Sequence, residues 1–236
     1  HHVAGAENYM FSLITLLKKA GHEPSLINIV ENRREVKASY KSRVQHLEEQ
    51  NVEVLYLDKK NHSSFSLIKQ IKRELDQFSP DVVHTHMSYA DLVGGIAAKA
   101  NRLKVISTRH NDYSSSASNI LKHASFHSVA NIFHDGVIAV SNSLNELIRR
   151  YEWFLKAIYT IYHGCEDDKK TPVCSRKKII SELNLPDDAF IIGTVGRLVK
   201  LKGHEYVIEA LSNLKEVNTH LHWLVIGDGP ELKRLN

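Results

Sequence analysis

The segment Gly196-Arg197-Leu198-Val199-Lys200-Leu201-Lys202-Gly203 delivers cations to one short stretch of chain, after an apolar run and before an amphipathic one. Arginine forks onto phosphate oxygens and lysine acts as a point charge, a pairing suited to a diphosphate. A solvated basic loop is the alternative reading of the same residues. Gly5 stands ahead of a helical stripe, where its backbone could approach an anion at a helix N-terminus or simply make a turn. Arg109-His110-Asn111-Asp112 and Gly227-Asp228-Gly229-Pro230 each follow a short apolar run. His84 and His86 share one face if Val82 to His86 is a strand, with His110 the next nearest histidine candidate, and such a set could hold zinc. Ordinary strand-end histidines are the expected case, and no metal is predicted. The two cysteines, Cys165 and Cys174, match no zinc or redox spacing and read as inert thiols. Arg33, Arg34, Lys37, Lys41 and Arg43 face only Glu31 and Glu35, which fits a solvated face or a peripheral contact with anionic lipid.

Hydrophobic periodicity supplies the elements that must carry these residues. Helices are predicted over 6–20, 65–78, 92–100, 118–133, 143–153 and 203–214, with a short one ending at Leu183. Strands are predicted over 26–30, 52–57, 82–86, 105–108, 137–140, 158–162, 190–195 and 223–226. Strands alternating with helices mean a parallel sheet covered on both faces, an α/β doubly wound architecture. In such sheets ligands sit at the carboxyl ends of the strands, which is where all four glycine- or cation-bearing segments fall. The polar stretch after Glu166 is the best boundary, giving domains 1–170 and 171–236. A first strand ahead of Val3 is expected but not present, which would leave unpaired backbone in mid-sheet. The second domain holds only two predicted strands, so both ends are expected to be cut through secondary structure.

Composition narrows the class. Hydrophobic residues make up 42% and charged residues 25%, which fits a soluble globular chain and rules out disorder. The net charge of +4 over 236 residues is too mild for a dedicated nucleic-acid binder. No apolar run reaches the ~18 residues of a membrane span, and no secretory start is seen, so the reading is cytosolic.

The collinear order of Gly-Ala-Glu; Pro-Asp-Val-Val-His-Thr-His; Ile-Ser-Thr-Arg-His-Asn-Asp; Val-Ile-Ala-Val-Ser; Ile-Tyr-His-Gly; Gly-Arg-Leu-Val-Lys-Leu-Lys-Gly; and Val-Ile-Gly-Asp-Gly-Pro resembles glycosyltransferase family 4 over essentially the whole chain. The resemblance implies a GT-B fold, two Rossmann-like domains facing a cleft, and sugar transfer with retention of configuration. It implies that Arg197 and Lys202 bind the donor diphosphate and stabilise the leaving group. It implies that His110 lies near the reacting sugar, that Gly5 lies by the donor phosphates with Ala4 in place of a first glycine, and that Gly196, Gly227 and Gly229 border the donor. His163-Gly164 stands where the family has Asn-Gly. Tyr113 to Ser118 would be an acceptor-side flap.

On that resemblance the expected function is transfer of a sugar from a UDP- or GDP-type donor to a glycan or lipid-linked acceptor. No cofactor or metal is implied, because Arg197 and Lys202 take the cation's role. A peripheral place at the inner membrane face is an expectation too, and no nucleic acid is implied. The family's paired glutamates are expected beyond Asn236; the same spacing at Glu23 and Glu31 spans a turn and a strand and is read as chance. The rival expectations are a non-catalytic remnant, a GT-B-shaped nucleotide-sugar epimerase and a sugar-binding module.

Overall fold

Parallel strands buried on both faces organise the first part of the chain, and β1 (Ser25–Val30) shows how. Leu26 and Val30 point into a cluster with Phe11, Ile14, Tyr40, Val44 and Leu47, while Ile27 and Ile29 point into a second cluster with Leu67, Ile71 and Leu75. Alternate residues of one strand thus feed two cores, as a doubly covered parallel sheet requires. The computed structural model describes residues 5–31, 36, 38–110, 117–164, 175–214 and 220–235. The chain divides into two compact units, His1–Glu166 and Asp167–Asn236.

In the first unit the order is α1 (Gly5–Lys19), β1, α2 (Ala38–Glu49), β2 (Glu53–Asp58), α3 (Ser64–Phe78), β3 (Val82–His86), α4 (Ser88–Ala100), β4 (Lys104–Arg109), α5 (Ala117–Asn131), β5 (Gly136–Ala139), α6 (Asn142–Tyr151) and β6 (Ile158–Thr160). Helix α3 shows the local logic. Ser63 accepts a hydrogen bond from the Ser66 N–H at its start, Ser79 adopts a left-handed conformation at its end, and Leu67, Ile71 and Leu75 bury one stripe. β1 pairs with β2 and β3-β4-β5-β6 form a second sheet, all parallel. Among the described residues β1 and β3 are not hydrogen-bonded to each other. One apolar cluster nevertheless runs under both sheets, joining Ile27, Ile29, Leu55 and Leu57 to Val83 and Val105.

The second unit contains α7 (Arg176–Glu182), β7 (Phe190–Val195), α8 (His204–Leu214), β8 (Leu221–Ile226) and α9 (Leu232–Leu235). β7 and β8 pair in parallel from Phe190↔Leu221 to Val195↔Ile226. Among its described residues only Ile180, Ala189, Leu198 and His204 are fully buried, a shallow core.

Several boundaries differ from the periodicity reading. Helix α2 was not anticipated: Tyr40, Val44 and Leu47 form an i, i+4, i+7 stripe inside a strongly charged segment, and all three are buried. Lys41 and Arg43 lie exposed on that helix; Arg33, Arg34 and Lys37 fall outside the described residues. Helix α4 starts four residues earlier than predicted, so that it includes the buried Asp91. β6 stops at Thr160, because it pairs with β5 only over Val137↔Ile158 to Ala139↔Thr160. Helix α8 starts at His204, because Gly203 takes a left-handed turn (φ 66°) after a 3-10 turn over Lys200–Lys202.

Candidate active site

At the carboxyl ends of β3, β4 and β6 the first unit assembles a group of aromatic rings. His84 and His86 alternate with Thr85, so both project to one side, with ring centroids 4.2 Å apart. His86 Nδ1 lies 2.9 Å from His110 Nε2, and His84 Nε2 lies 2.7 Å from Thr108 Oγ1. His163, just beyond β6, stacks on Tyr9 of α1 at 4.1 Å and 16° and lies 5.2 Å from His110. Tyr9 also meets His110 edge-on at 5.5 Å. One ring nitrogen each of His84 and His86 is engaged in these contacts, and among the described residues no set of three or more His, Cys, Asp or Glu is arranged to hold a metal ion.

Burial sets the charge state of this group. It lowers His84 to about 4, His86 to about 2 and His110 to about 4, the neighbouring imidazoles adding to the effect on His86 and His110. His163 is lowered by burial as well. The rings are therefore neutral near pH 7, and they can exchange hydrogen bonds with hydroxyls without presenting charge. His110 Nδ1 is buried and has no hydrogen-bond partner among the described residues.

Under the rings, the neighbour of His110 in sequence points the other way. Arg109 was grouped with His110 as a strand-end candidate; its side chain instead turns into the protein interior. Its Nη1 donates to Asp91 Oδ2 at 2.6 Å and to Ser107 Oγ, and its Nη2 donates to Asn131 Oδ1 at 2.9 Å. Asp91 also accepts from Thr85 Oγ1 at 2.7 Å and Ser107 Oγ at 2.8 Å. Asn131 Nδ2 donates to Glu152 Oε2 at 2.8 Å, and Glu152 lies 3.5 Å from Arg109 Nη2. Burial pushes the Asp91 carboxyl up, while Arg109, Thr85 and Ser107 pull it down. The network ties α4, β3, β4, α5 and the segment after α6 together directly behind His110. Asp91, Asn131 and Glu152 were not singled out from sequence; the signal was an acid in the otherwise small and apolar run Leu92–Ala100 and its approach. Asn111, Asp112, the Tyr113–Ser116 stretch, Ala4, Cys165 and Cys174 lie outside the described residues.

The histidines carry a pH prediction. His127 and His134 are also lowered, to about 3 and about 4, chiefly by burial and then by Arg109. Each of these groups regains its ordinary value near 6.5 on unfolding, so between 6.5 and 4 the unfolded chain binds more protons. Stability is therefore complete above pH 6.5 and declines as pH falls toward 4. Thermal melting between pH 7 and 4.5 should show a steady drop in midpoint; a flat profile would contradict the buried neutral state.

Gly5 is the first residue of α1, and the space where its side chain would be is open. In the second unit Gly196 follows β7, Arg197 and Lys202 are both exposed, and neither side chain has an ion-pair or hydrogen-bond partner among the described residues. Their loop is built by close backbone packing. Gly196 N–H donates to Ile226 O at 3.0 Å, Leu198 N–H to Asp228 O at 2.9 Å, and Glu231 N–H to Leu198 O at 3.1 Å. A Cβ on Gly227 would fall on the carbonyl oxygen of Gly196, and one on Gly229 on that of Leu198. These glycines thus serve the approach of two loops, and alanine at either must push the Arg197 loop away. With overpacking costing about 1–3 kcal/mol, Gly227→Ala should expose the Leu198 and Glu231 amides to hydrogen exchange roughly tenfold or more. Undiminished protection would show that the loops yield without separating.

Residues 3–169 match the family described as Glycosyltransferase Family 4, and residues 175–236 match Glycosyl transferases group 1. An Escherichia coli protein, "O-antigen biosynthesis glycosyltransferase WclY", is 24% identical over 235 residues, covering 94% of this chain and 62% of its own length. The chain therefore spans about three fifths of that relative. The structure of Anabaena HepE in complex with UDP and glucose superposes with a TM-score of 0.72 at 20% identity, over 98% of this chain and 61% of HepE. A Listeria monocytogenes protein assigned as a UDP-N-acetylglucosamine 2-epimerase gives a TM-score of 0.54 at 15% identity, over 92% of this chain and 58% of its own. These likenesses show an α/β fold of the GT-B class.

Proposed function

The chain belongs to glycosyltransferase family 4, and on that premise we propose that the whole protein moves a sugar, with retention of configuration, from a UDP- or GDP-type donor to a glycan or lipid-linked acceptor. The observation that carries this reading is the Arg197–Lys202 loop, two exposed and unpartnered cations at the end of a parallel strand. As the bond to the sugar breaks, negative charge collects on the departing diphosphate, and fixed cations there lower the barrier. Arg197 supplies a planar fork and Lys202 a point charge, so the pair takes the role of a divalent cation. His110, neutral and with Nδ1 free, would exchange a hydrogen bond with a hydroxyl of the reacting sugar. Gly5, at the N-terminus of α1, would lie by the donor phosphates, and Gly196, Gly227 and Gly229 would shape the donor side.

The HepE likeness, to a protein bound to UDP and glucose, supports a nucleotide-sugar donor, and the WclY likeness supports a product of the O-antigen class. The test is to incubate the full-length protein with UDP- and GDP-sugars, with and without oligosaccharide acceptors and with a chelator present. Acceptor-dependent release of nucleoside diphosphate, with the donor's anomeric configuration kept in the product, is expected. An epimerised donor without acceptor would replace this reading with the epimerase, and no turnover of any donor would favour the non-catalytic remnant.

A further inference from the structure

β3 and β4 pair with His86 opposite Thr108, and the pleat puts His84, His86, Thr108 and His110 on one face. On that face the contacts form a chain that ends at His110. Thr108 Oγ1 lies 2.7 Å from His84 Nε2, the His84 ring lies against His86 at 4.2 Å and 37°, and His86 Nδ1 meets His110 Nε2 at 2.9 Å. The other ring nitrogen of His110, Nδ1, is buried without a partner among the described residues. The 2.9 Å contact between two neutral rings uses one N–H, so the two facing nitrogens are one donor and one acceptor. Orphaned buried N–H groups are rarer than under-satisfied acceptors. Nδ1 of His110 is therefore the lone-pair nitrogen, and its Nε2–H donates to His86 Nδ1.

The backbone holds His86 in that place. The next residue, Met87, has φ 76° and ψ 140°, a conformation that a side chain adopts only under strain. It turns the chain from β3 directly into α4, and its carbonyl accepts from the Asp91 N–H at 2.9 Å. The Asp91 side chain is fixed in turn by Thr85, Ser107 and Arg109. Strain that the surrounding structure maintains at a strand end, next to an unsatisfied polar atom, points to preorganisation of a site.

We propose that His86 is a positioning residue: by accepting from His110 Nε2–H it fixes the rotation and the tautomer of His110, so that a bare Nδ1 accepts from a hydroxyl of the reacting sugar. Without that bond the His110 ring can turn over, or move its proton to Nδ1, and either change puts the wrong atom where the lone pair belongs. His84 and Thr108 hold His86 in the same way, one step further from the sugar. The inference rests on the transferase reading for the role of His110, and on the hydrogen bond for its geometry.

The first measurement is the ring-nitrogen NMR spectrum of the full-length protein carrying isotope-labelled histidine, with the His110 signals identified by their loss in His110→Ala. An unprotonated Nδ1 and a protonated Nε2 are expected in the wild type, and a mixture of both tautomers in His86→Phe. The wild-type spectrum decides even where His86→Phe fails to fold. The second measurement is kinetic. His86→Phe should lower kcat about tenfold, as lost orientation does, and change the donor KM less. His86→Asn sets an amide oxygen near the place of Nδ1 and should recover most of the rate. In the His110→Ala background His86→Phe should cost nothing further, because His86 acts through His110. A protonated Nδ1 in the wild type, or losses that multiply in the double variant, overturns the proposal and leaves the transferase reading standing. A wild-type protein that turns over no donor removes the transferase reading itself, and the role of His86 with it, before any variant is compared.

Discussion

Replacing Arg197 or Lys202 by alanine in the full-length protein should, in the role proposed for them, lower turnover by about 10²–10³-fold, the scale on which a lost stabiliser of transition-state charge is felt. Both side chains are exposed and unpartnered among the described residues, so neither substitution removes a packing contact, and the thermal midpoint should hold. The loss should fall on kcat more than on the donor KM, because diphosphate charge grows between ground state and transition state. Arg197→Lys keeps the charge and loses the fork, and should recover only part of the rate. The double substitution should cost less than the product of the singles, since in the proposed role the pair acts on one leaving group. Steady-state kinetics with each variant decide this: wild-type turnover in either single variant removes that residue from the proposed role.

Substitution in the Arg109 network has the largest expected effect on stability. Arg109→Met leaves Asp91 and Glu152 inside the protein without the cation they share. Breaking a buried pair from one side costs about 3–5 kcal/mol. For a unit of this size that lowers the melting midpoint by on the order of 10 °C. Asp91→Asn removes charge but keeps an acceptor for Thr85 and Ser107, and should cost less than Arg109→Met. Calorimetry of the variants checks the ranking, and a midpoint within a few degrees of wild type for Arg109→Met would show that water reaches the site.

Much of the fold was readable from the chain. Runs such as Leu26–Val30 and Phe190–Val195 are apolar enough to be read as strands, and helices such as α3 carry one clean stripe. Helix α2 was missed because its charged residues outnumber Tyr40, Val44 and Leu47, and only the core they meet reveals the stripe as inward. The start of α4 was misplaced because Asp91 looks polar in sequence; the partners that let it be buried come from β3 and β4.

The candidate site divides along the same line. Sequence alone determined which segments lie at strand ends, because hydrophobic period locates strands and a parallel sheet puts all their carboxyl ends on one side. It also determined the cationic character of the Gly196–Gly203 loop and the order of segments shared with the family. Only the tertiary structure decided that Arg109 and His110, adjacent in the chain, serve opposite sides. The pleat turns one into Asp91 and the other toward His86 and His163. It alone decided that Tyr9 and His163, far apart in sequence, stack on each other, and that Gly227 and Gly229 have no room for a side chain because another loop's carbonyls occupy the space. The reason is physical: period and composition are local properties of a chain, whereas the partner of a buried charge, a ring or a glycine is set by segments that meet only when the sheet forms.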